Sequence, residues 1–557
     1  MAVYPHLSLH RLLSLLLLTA LVLAAPAACK PIDGAASGPD TAPNDSNDNR
    51  PTVTVDGGVL AGTTTDVPWA LSSATTISKF LGVRYAAPPL RFEPPQPARA
   101  WDGVYDASEF RATCIQQFSE SNRELYMKWF NTPPPPTIEA EDCLFLNVWA
   151  PAGAGTGDEP KKPVMLWFYG GGYNFGSGAL PLYDGTSFAA NQDIVMVTFN
   201  YRTNIFGFPG APEIPLDKRN LGLLDQRLAL DWVHRNIHAF GGDPDRVTIF
   251  GESAGGGSVD ALITAPPNPV PFVGAIMQSA ASADGGGDND SVSSWRRAVS
   301  AANCARANGF DCLRAVPASF LKSLIEKEEL SFKPTPDGGV TLADRPRRER
   351  FRSEEGDDTI ARVPLLIGTN ADEGSLYVKS EFDVEGYLND LLLPQTPVSS
   401  LITPDGGTRN EQLSTLFTKL AMQCPAARTA KDSAEADIPT WRYLYDASFP
   451  NTELFPGSGA YHTAEISTLF GTFPAKGVTA FQLKLSRYMQ KAWADFAKNP
   501  AGGPGWSQLP QVAVLGDGAR PGASDEDREV LALKSQGQVD PNCGFYRLLY
   551  AIVEPFV

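Results

Sequence analysis

The sequence is poor in several residue types, and each scarcity excludes a class of function. Only 46 of its 557 residues are Lys or Arg, against 63 Asp or Glu, and the net charge is −17. No stretch combines clustered cations with interleaved aromatic residues, which disfavours nucleic-acid binding. The seven cysteines form no C-x-x-C pair and no Cys/His cluster with zinc spacing, which disfavours a metal site. With 43% hydrophobic and 20% charged residues, the chain has ample material for a globular core.

The amino-terminal segment has the pattern of a targeting sequence. A few cations, one apolar run and then small residues occupy 1–28, which predicts a secretory signal peptide. Residues 29–51 are almost free of apolar side chains and predict a flexible polar tether. Two alternatives are an uncleaved membrane anchor and lipidation at Cys29, although Pro26 stands where lipoprotein cleavage sites usually have Leu or Val. Because no second apolar run of this kind exists, no stable membrane span is expected.

The remaining six cysteines fit an extracellular protein. An even number of cysteines in a secreted chain predicts disulfide bonds, here three. Two N-x-S sequons, at Asn44 and Asn289, lie in polar stretches and are candidate glycosylation sites.

The hydrophobic pattern predicts an α/β fold. The runs 164–170 and 193–201 are apolar on both faces, which is typical of buried parallel strands. A helix is predicted over 220–237. Three of its apolar residues recur every four positions and define one predicted buried face: Leu224, Leu228 and Trp232. We therefore expect a single large domain over 52–557, with a central, mostly parallel sheet flanked by helices.

One serine stands in the setting of a nucleophile. A predicted strand over 247–250 precedes the motif G-x-S-x-G at 251–255, and a helix follows. The glycines allow neighbouring backbone to approach while Ser253 stays strained and exposed. The amide of Ala254, the residue after the nucleophile, is expected to bind an oxyanion.

A serine hydroxyl needs a base, and histidine is scarce here. Of the five histidines, two lie in the leader, and His234 and His238 precede the serine. In α/β-hydrolases with such a serine turn, the catalytic residues follow the chain order Ser, acid, His. The downstream His462 is therefore the predicted base. His234 and His238 could alternatively share a metal ion, but no third ligand lies nearby. The acid is left open between Asp372 and Glu373, which both follow a predicted strand over 363–367.

A glycine-rich loop supplies further candidate donors. Three glycines at 170–172 follow the predicted strand VMLWF at 164–168. Their position matches that of the HGGG-type element of esterases. A purely structural turn is an alternative, whereas a phosphate loop is disfavoured because no GK[ST] follows.

These motifs together resemble the type-B carboxylesterase and lipase family, which includes the cholinesterases. The stretch FGGDPDRVTIFGESAG at 240–255 is similar to the family's serine signature, and EDCLFLNVWAP at 141–151 is similar to its second signature. The segments YGGGY, NLGLLDQRLALDWV, GTNADEGS and AYHTAEISTLFG follow in family order. The resemblance covers nearly the whole chain after the leader and implies the α/β-hydrolase fold.

The resemblance also implies roles for single residues. It favours Glu373 as the acid, His462 as the base and the amides of Gly171, Gly172 and Ala254 as oxyanion donors. It further implies three disulfide pairs: Cys114 with Cys143, Cys304 with Cys312 and Cys424 with Cys543. Cys29 is then left free or available for an intermolecular bond.

The implied activity is that of a secreted serine ester hydrolase that acts on a small-molecule or lipid ester without a cofactor. A catalytically silent recognition or adhesion protein of cholinesterase-like type is the alternative. Trp129 is the candidate for a choline-binding tryptophan, with simple packing as the other interpretation of this residue. The sequence leaves the particular ester and the oligomeric state open.

Overall fold

The computed structural model describes most of the chain after the predicted tether. The described residues are 50–67, 76–119, 122–129, 138–153, 160–280, 288–305, 308–353, 359–380, 382–392, 395–404, 406–522, 524, 527–546 and 548. For 128–129 and 288–290 the description covers the backbone alone. The predicted signal peptide, Cys29 and Asn44 lie outside these residues. All described residues fall within one compact unit, Ala42–Val557.

Two sheets contain the strands of the described residues. The strands are β1 Thr52–Val55, β2 Gly58–Ala61, β3 Thr63–Asp66, β4 Thr76–Arg84, β5 Val104–Asp106, β6 Phe145–Pro151, β7 Lys162–Phe168, β8 Val195–Phe199, β9 Gly242–Glu252, β10 Gly274–Gln278, β11 Leu365–Asn370, β12 Thr440–Ala447, β13 Gln511–Ala519 and β14 Leu531–Ser535. A small sheet has the order β1-β2-β5. The large sheet has eleven strands in the order β14-β13-β12-β11-β10-β9-β7-β8-β6-β4-β3.

The centre of the large sheet is parallel, as predicted. Seven neighbouring strands, from β8 through β7 and β9 to β13, pair in parallel, and antiparallel strands complete both edges. β7, β8, β10 and β11 are buried along almost their whole length, because a parallel sheet is covered on both faces. The prediction of a mostly parallel sheet flanked by helices is confirmed.

Helices connect and cover the strands. The α-helices are α1 Arg123–Trp129, α2 Thr186–Gln192, α3 Asn204–Gly207, α4 Leu221–Asn236, α5 Ala254–Thr264, α6 Asp288–Ala301, α7 Gly309–Ala315, α8 Ala318–Lys327, α9 Pro346–Arg352, α10 Gly374–Tyr377, α11 Val384–Leu391, α12 Arg409–Phe417, α13 Cys424–Glu435, α14 Ala464–Phe470, α15 Ala480–Lys498, α16 Gln536–Val539 and α17 Cys543–Tyr546. A π-helix, Thr418–Gln423, joins α12 to α13. Short 3₁₀ helices are Pro181–Tyr183, Leu216–Lys218, Ile237–Phe240, Val398–Leu401 and Pro500–Gly502.

The strand order brings two loops together. The chain runs from β7 to the neighbouring β8 and then returns past β7 to form β9 on its other side. Phe168 at the end of β7 lies opposite Gly251 near the end of β9. The glycine-rich loop after β7 and the turn after β9 therefore meet at the carboxyl edge of the sheet. Open α/β sheets bind their ligands at such a reversal of strand order.

The prediction of a buried face on α4 is only partly confirmed. Trp232 is buried, but Leu224 and Leu228 are half-buried. Fully buried positions include two polar residues, Asp225 and Gln226. Asp225 accepts hydrogen bonds from the Arg202 guanidinium at 2.7 and 2.8 Å, so a satisfied ion pair occupies part of this face.

Disulfides tie three parts of the chain. The bridges are Cys114–Cys143, Cys304–Cys312 and Cys424–Cys543, the same pairs that the family resemblance implies. The candidate glycosylation site at Asn289 lies in the first turn of α6, Asp288–Ala301. Within the described part of the chain, no helix is long and apolar enough to cross a membrane.

Candidate active site

Ser253 occupies a strained turn between β9 and α5. Its backbone has φ 56° and ψ −123°, a conformation that residues with a β-carbon rarely adopt. The amide of Ser253 donates to the carbonyl oxygen of Gln278 at 2.9 Å, which ties the turn to the end of β10. Only 6% of the surface of Ser253 is exposed. This is the strand, turn and helix arrangement that the sequence predicts.

The glycines on either side of the serine are required by close backbone contacts. A β-carbon on Gly255 would lie 2.0 Å from the carbonyl oxygen of Phe168. One on Gly251 would lie 2.6 Å from the carbonyl carbon of Gly255. Any side chain at either position would overlap backbone that cannot move away, so the turn can form only with glycine there.

His462 and Glu373 form a buried pair near this turn. His462 lies between β12 and α14, and Glu373 follows β11; they are 1% and 0% exposed. His462 Nδ1 lies 2.6 Å from Glu373 Oε2. The other carboxylate oxygen, Oε1, accepts hydrogen bonds from Ser279 Oγ at 2.6 Å and from the backbone amide of Asn370 at 2.7 Å. These contacts hold the carboxylate in place and leave one of its oxygens for the imidazole.

Asp372, the other candidate acid, faces a different part of the molecule. Its Oδ2 accepts hydrogen bonds from Arg520 at 3.0 Å and from the amide of Ala460 at 2.8 Å. The side chain is 38% exposed. Of the two adjacent carboxylates that the sequence leaves open, Glu373 is the one beside the histidine.

Two further carboxyls are buried in this region, Glu252 beside the histidine and Glu465 beside Asn370, and sequence reasoning missed both. Glu252 Oε1 lies 3.2 Å from His462 Nε2. Burial, together with the charges of Glu465 and Glu373, raises the pKa of Glu252 well above its ordinary value. Burial also raises the pKa of Glu465, which accepts hydrogen bonds from Asn370 at 2.6 Å and Gln278 at 3.0 Å. Glu252 immediately precedes the serine in the motif, which is the signal that could have identified it.

The glycine-rich loop lies directly beside the serine. A β-carbon on Gly170 would be 2.9 Å from the β-carbon of Ser253. Gly171 and Gly172 have φ +110° and +59°, which glycine adopts without strain. In the described part of the chain, the amides of Gly171, Gly172 and Ala254 donate no hydrogen bond. Three backbone donors are therefore free at this edge of the sheet, as a developing oxyanion requires.

A cavity of ≈300 Å³ opens beside this loop. One wall is the loop closed by the Cys114–Cys143 bridge, which contributes Phe118 and Tyr126. The glycine-rich loop continues into the second wall with Asn174 and Phe175, and residues 326–331 contribute to a third. The ring of Phe175 stacks on Phe118 with centroids 4.9 Å apart and lies 5.2 Å from the ring of Tyr126. The disulfide loop thus forms an aromatic wall of the cavity.

The remaining candidate positions lie outside this site or outside the description. Trp129 ends α1, and its side chain is outside the described residues. His234 and His238 lie at the end of α4 and in the following 3₁₀ helix. No group of three or more His, Cys, Asp or Glu side chains among the described residues is arranged to hold a metal ion.

The strained serine turn, set at the carboxyl edge of a parallel sheet beside a buried His–Glu pair, defines the class as an α/β hydrolase. Comparisons with known proteins agree. The carboxylesterase family model matches residues 49–396 and 401–540. The chain therefore belongs to the carboxylesterase family, and it is a carboxylic ester hydrolase.

Individual relatives support the same assignment. The chain is 35% identical to the para-nitrobenzyl esterase of Bacillus subtilis (strain 168) over 453 residues, which cover 76% of this chain and 87% of that relative. It is 33% identical to Secreted lipase 5 of Gibberella zeae over 471 residues, which cover 77% and 83%. A solved structure of a PNB esterase superposes with a TM-score of 0.70 at 29% identity and covers 88% of this chain and 99% of the esterase.

Proposed function

We propose that the protein hydrolyses carboxylic esters through an acyl-enzyme formed on Ser253, with His462 as general base and Glu373 as the orienting acid. The observation that carries this proposal is the 2.6 Å contact between His462 Nδ1 and Glu373 Oε2. Because Nδ1 faces Glu373, we assign Nε2 as the imidazole nitrogen that takes the serine proton, which is the role that the base of such a triad performs.

The first half-reaction forms the acyl-enzyme. Ser253 Oγ attacks the ester carbonyl carbon as its proton passes to His462 Nε2. The amides of Gly171, Gly172 and Ala254 donate hydrogen bonds to the carbonyl oxygen and stabilise the negative charge that develops on it. The bond to the leaving alcohol then breaks, and His462 returns the proton to the alcohol oxygen.

The second half-reaction restores the enzyme. A water molecule gives a proton to His462 and attacks the acyl carbonyl carbon. The bond to Ser253 breaks, the serine recovers its proton, and the carboxylic acid leaves. Glu373 stabilises the imidazolium in both halves. The raised pKa of Glu252 favours its neutral form, so Glu252 adds little negative charge at Nε2.

We also propose that the protein is secreted and acts on small-molecule or lipid esters. The predicted signal peptide over 1–28, the three disulfides and the name of the Gibberella zeae relative support this location. The aromatic cluster of Phe118, Tyr126 and Phe175 along one side of the cavity suits the apolar part of an ester.

A series of p-nitrophenyl esters, from acetate to palmitate, tests the proposed function. We expect turnover by the wild type and a loss of about 10⁴-fold or more in kcat for Ser253→Ala. Ser400→Ala removes an exposed serine hydroxyl far from these residues in sequence and is the matched control. Wild-type rates in Ser253→Ala would contradict the proposal. Inactivity of both proteins on every ester would favour the silent recognition protein.

A further inference from the structure

A lysine, Lys333, reaches the glycine-rich loop from another part of the chain. Its ammonium donates a hydrogen bond to the carbonyl oxygen of Gly172. Its backbone is held by Ser291, whose hydroxyl accepts from the Lys333 amide at 2.9 Å and donates to the Lys333 carbonyl at 3.1 Å. The cation is thereby fixed beside a residue whose amide is a proposed oxyanion donor.

The ammonium of Lys333 has no carboxylate partner among the described residues. None of the ion pairs in this part of the chain includes it, although the Gly172 carbonyl uses one of its three N–H donors. The residue as a whole is half-buried, and desolvation lowers the pKa of its ammonium to about 8. A desolvated cation is costly unless an anion pairs with it, so this position favours a negatively charged ligand.

A second nitrogen donor points to the same space. A β-carbon built on Gly172 would lie 3.6 Å from Lys333 Nζ and 4.0 Å from Asn174 Nδ2, with no other heavy atom within 4 Å apart from the chain neighbours. Within the described residues, Asn174 Nδ2 donates to no partner. Asn174 also lines the ≈300 Å³ cavity. The two donors thus lie beside the same β-carbon position of Gly172, whose amide is a proposed oxyanion donor, and Asn174 connects this position to the cavity.

We propose that Lys333 Nζ and Asn174 Nδ2 form an anion subsite that binds a carboxylate carried by the ester substrate. Esters with a free carboxylate on either the acyl or the alcohol part are then preferred over neutral esters of the same shape. This inference rests on the proposed function, because the subsite is located relative to the oxyanion loop. Charge-assisted hydrogen bonds to a carboxylate are strong enough for a preference of about tenfold or more.

Pairs of esters that differ only in charge test the subsite. In one arm, mono-4-nitrophenyl succinate, glutarate and adipate are each compared with the ester in which an amide replaces the free carboxylate. In the other arm, 4-carboxyphenyl butyrate is compared with 4-carbamoylphenyl butyrate. We expect a higher kcat/KM for the carboxylate in at least one arm, and that arm identifies which part of the ester carries the anion.

Substitutions of Lys333 distinguish the effect of its charge from its structural support of the glycine-rich loop. In Lys333→Gln, the amide can still donate to the Gly172 carbonyl, so the loop keeps its support while the charge is lost. We expect the carboxylate-to-amide ratio of kcat/KM to fall about tenfold or more, and Lys333→Arg to keep most of it. Lys327→Gln removes an exposed lysine at the end of α8 and should leave the ratio unchanged. An unchanged ratio in Lys333→Gln, or no preference in the wild type, would overturn the proposal.

The dependence on pH provides a readout that a purely structural lysine would not change. The groups nearest the ammonium in the described structure are the Gly172 carbonyl, to which it donates, and the Asn174 amide, and both are uncharged. Two carboxylates, Glu326 and Glu329, line the adjoining cavity, and neither forms an ion pair with Lys333. Lys333 is cationic below a pKa of about 8 and neutral above it. The wild-type preference should therefore decline as the pH rises from 7 to 9, whereas a constant preference would contradict the assignment.

Binding to inactive protein keeps this test separate from the proposed function. Calorimetry with Ser253→Ala should show tighter binding of the carboxylate ester than of its amide, and the double variant with Lys333→Gln should lose the difference. If the wild type hydrolyses nothing but this difference is present, the proposed function fails and the subsite stands. If esters are hydrolysed and the difference is absent from both binding and turnover, the subsite fails alone.

Discussion

The substitution Glu373→Gln tests the assignment of the acid in atomic detail. Glu373 Oε1 accepts hydrogen bonds from Ser279 Oγ and the Asn370 amide, so in the variant the amide oxygen will keep this position. The amide NH₂ then faces His462 Nδ1, which must accept rather than donate. The proton moves to Nε2, the atom that has to receive the serine proton.

The wrong tautomer sets the magnitude of the expected loss. In a serine protease triad, the corresponding Asp→Asn change lowers kcat about 10⁴-fold without disturbing the geometry. For this protein we expect a similar loss, equivalent to about 5.4 kcal/mol of transition-state stabilisation. KM should change little, because Glu373 is fully buried and acts through His462.

Asp372→Asn is the matched control for this prediction. It alters the neighbouring carboxylate, whose partner Arg520 is itself 37% exposed, so the lost attraction is worth at most about 1 kcal/mol of folding stability. Steady-state hydrolysis of p-nitrophenyl acetate gives kcat for both variants, and thermal unfolding checks that both fold. An intact kcat in Glu373→Gln, or an equal loss in Asp372→Asn, would refute the reasoning.

Three further predictions concern folding. Gly255→Ala should destabilise the protein by more than about 3 kcal/mol in chemical denaturation, because the new β-carbon would overlap the last carbonyl of β7. Gly537→Ala is the control and should be near neutral, because no atom lies within 4 Å of its β-carbon position. Replacing Cys424, whose bridge spans 119 residues, should lower the free energy of unfolding by about 5 kcal/mol. Replacing Cys304, whose bridge spans 8 residues, should lower it by about 2.5 kcal/mol, and equal losses would contradict the chain-entropy argument. Glu252→Gln should gain stability relative to the wild type as the pH rises from 5 to 8, since the folded wild type retains a proton that the unfolded chain releases; a constant difference would refute the raised pKa.

The parts of the site that depend on local patterns were predictable from the sequence. The strand before Ser253 and the helix after it follow from hydrophobic runs and glycine spacing, although β9 extends over Gly242–Glu252 rather than 247–250. His462 was identified by elimination, because the other histidines stand in the leader or before the serine. The parallel centre of the sheet follows from runs that are apolar on both faces.

The parts that depend on contacts between distant segments were not predictable. Asp372 and Glu373 are adjacent in sequence, and only their surroundings in the folded chain distinguish the exposed carboxylate from the buried one. Leu224 was expected in the core of the domain, but the ion pair of Asp225 with Arg202 occupies part of that helix face. Lys333 reaches Gly172 across 161 positions of sequence, and no local pattern indicates such a contact.

Location of the acyl group tests the central claim most directly. The wild type is mixed with p-nitrophenyl acetate, quenched in acid within the first turnovers and digested, and the peptides are mapped by mass spectrometry. The proposed mechanism predicts an acetyl group on Ser253 and none on the corresponding peptide of Ser253→Ala, which should release no burst of nitrophenol. An acetyl group on another residue in an active wild type, or undiminished turnover by the variant, would contradict the mechanism.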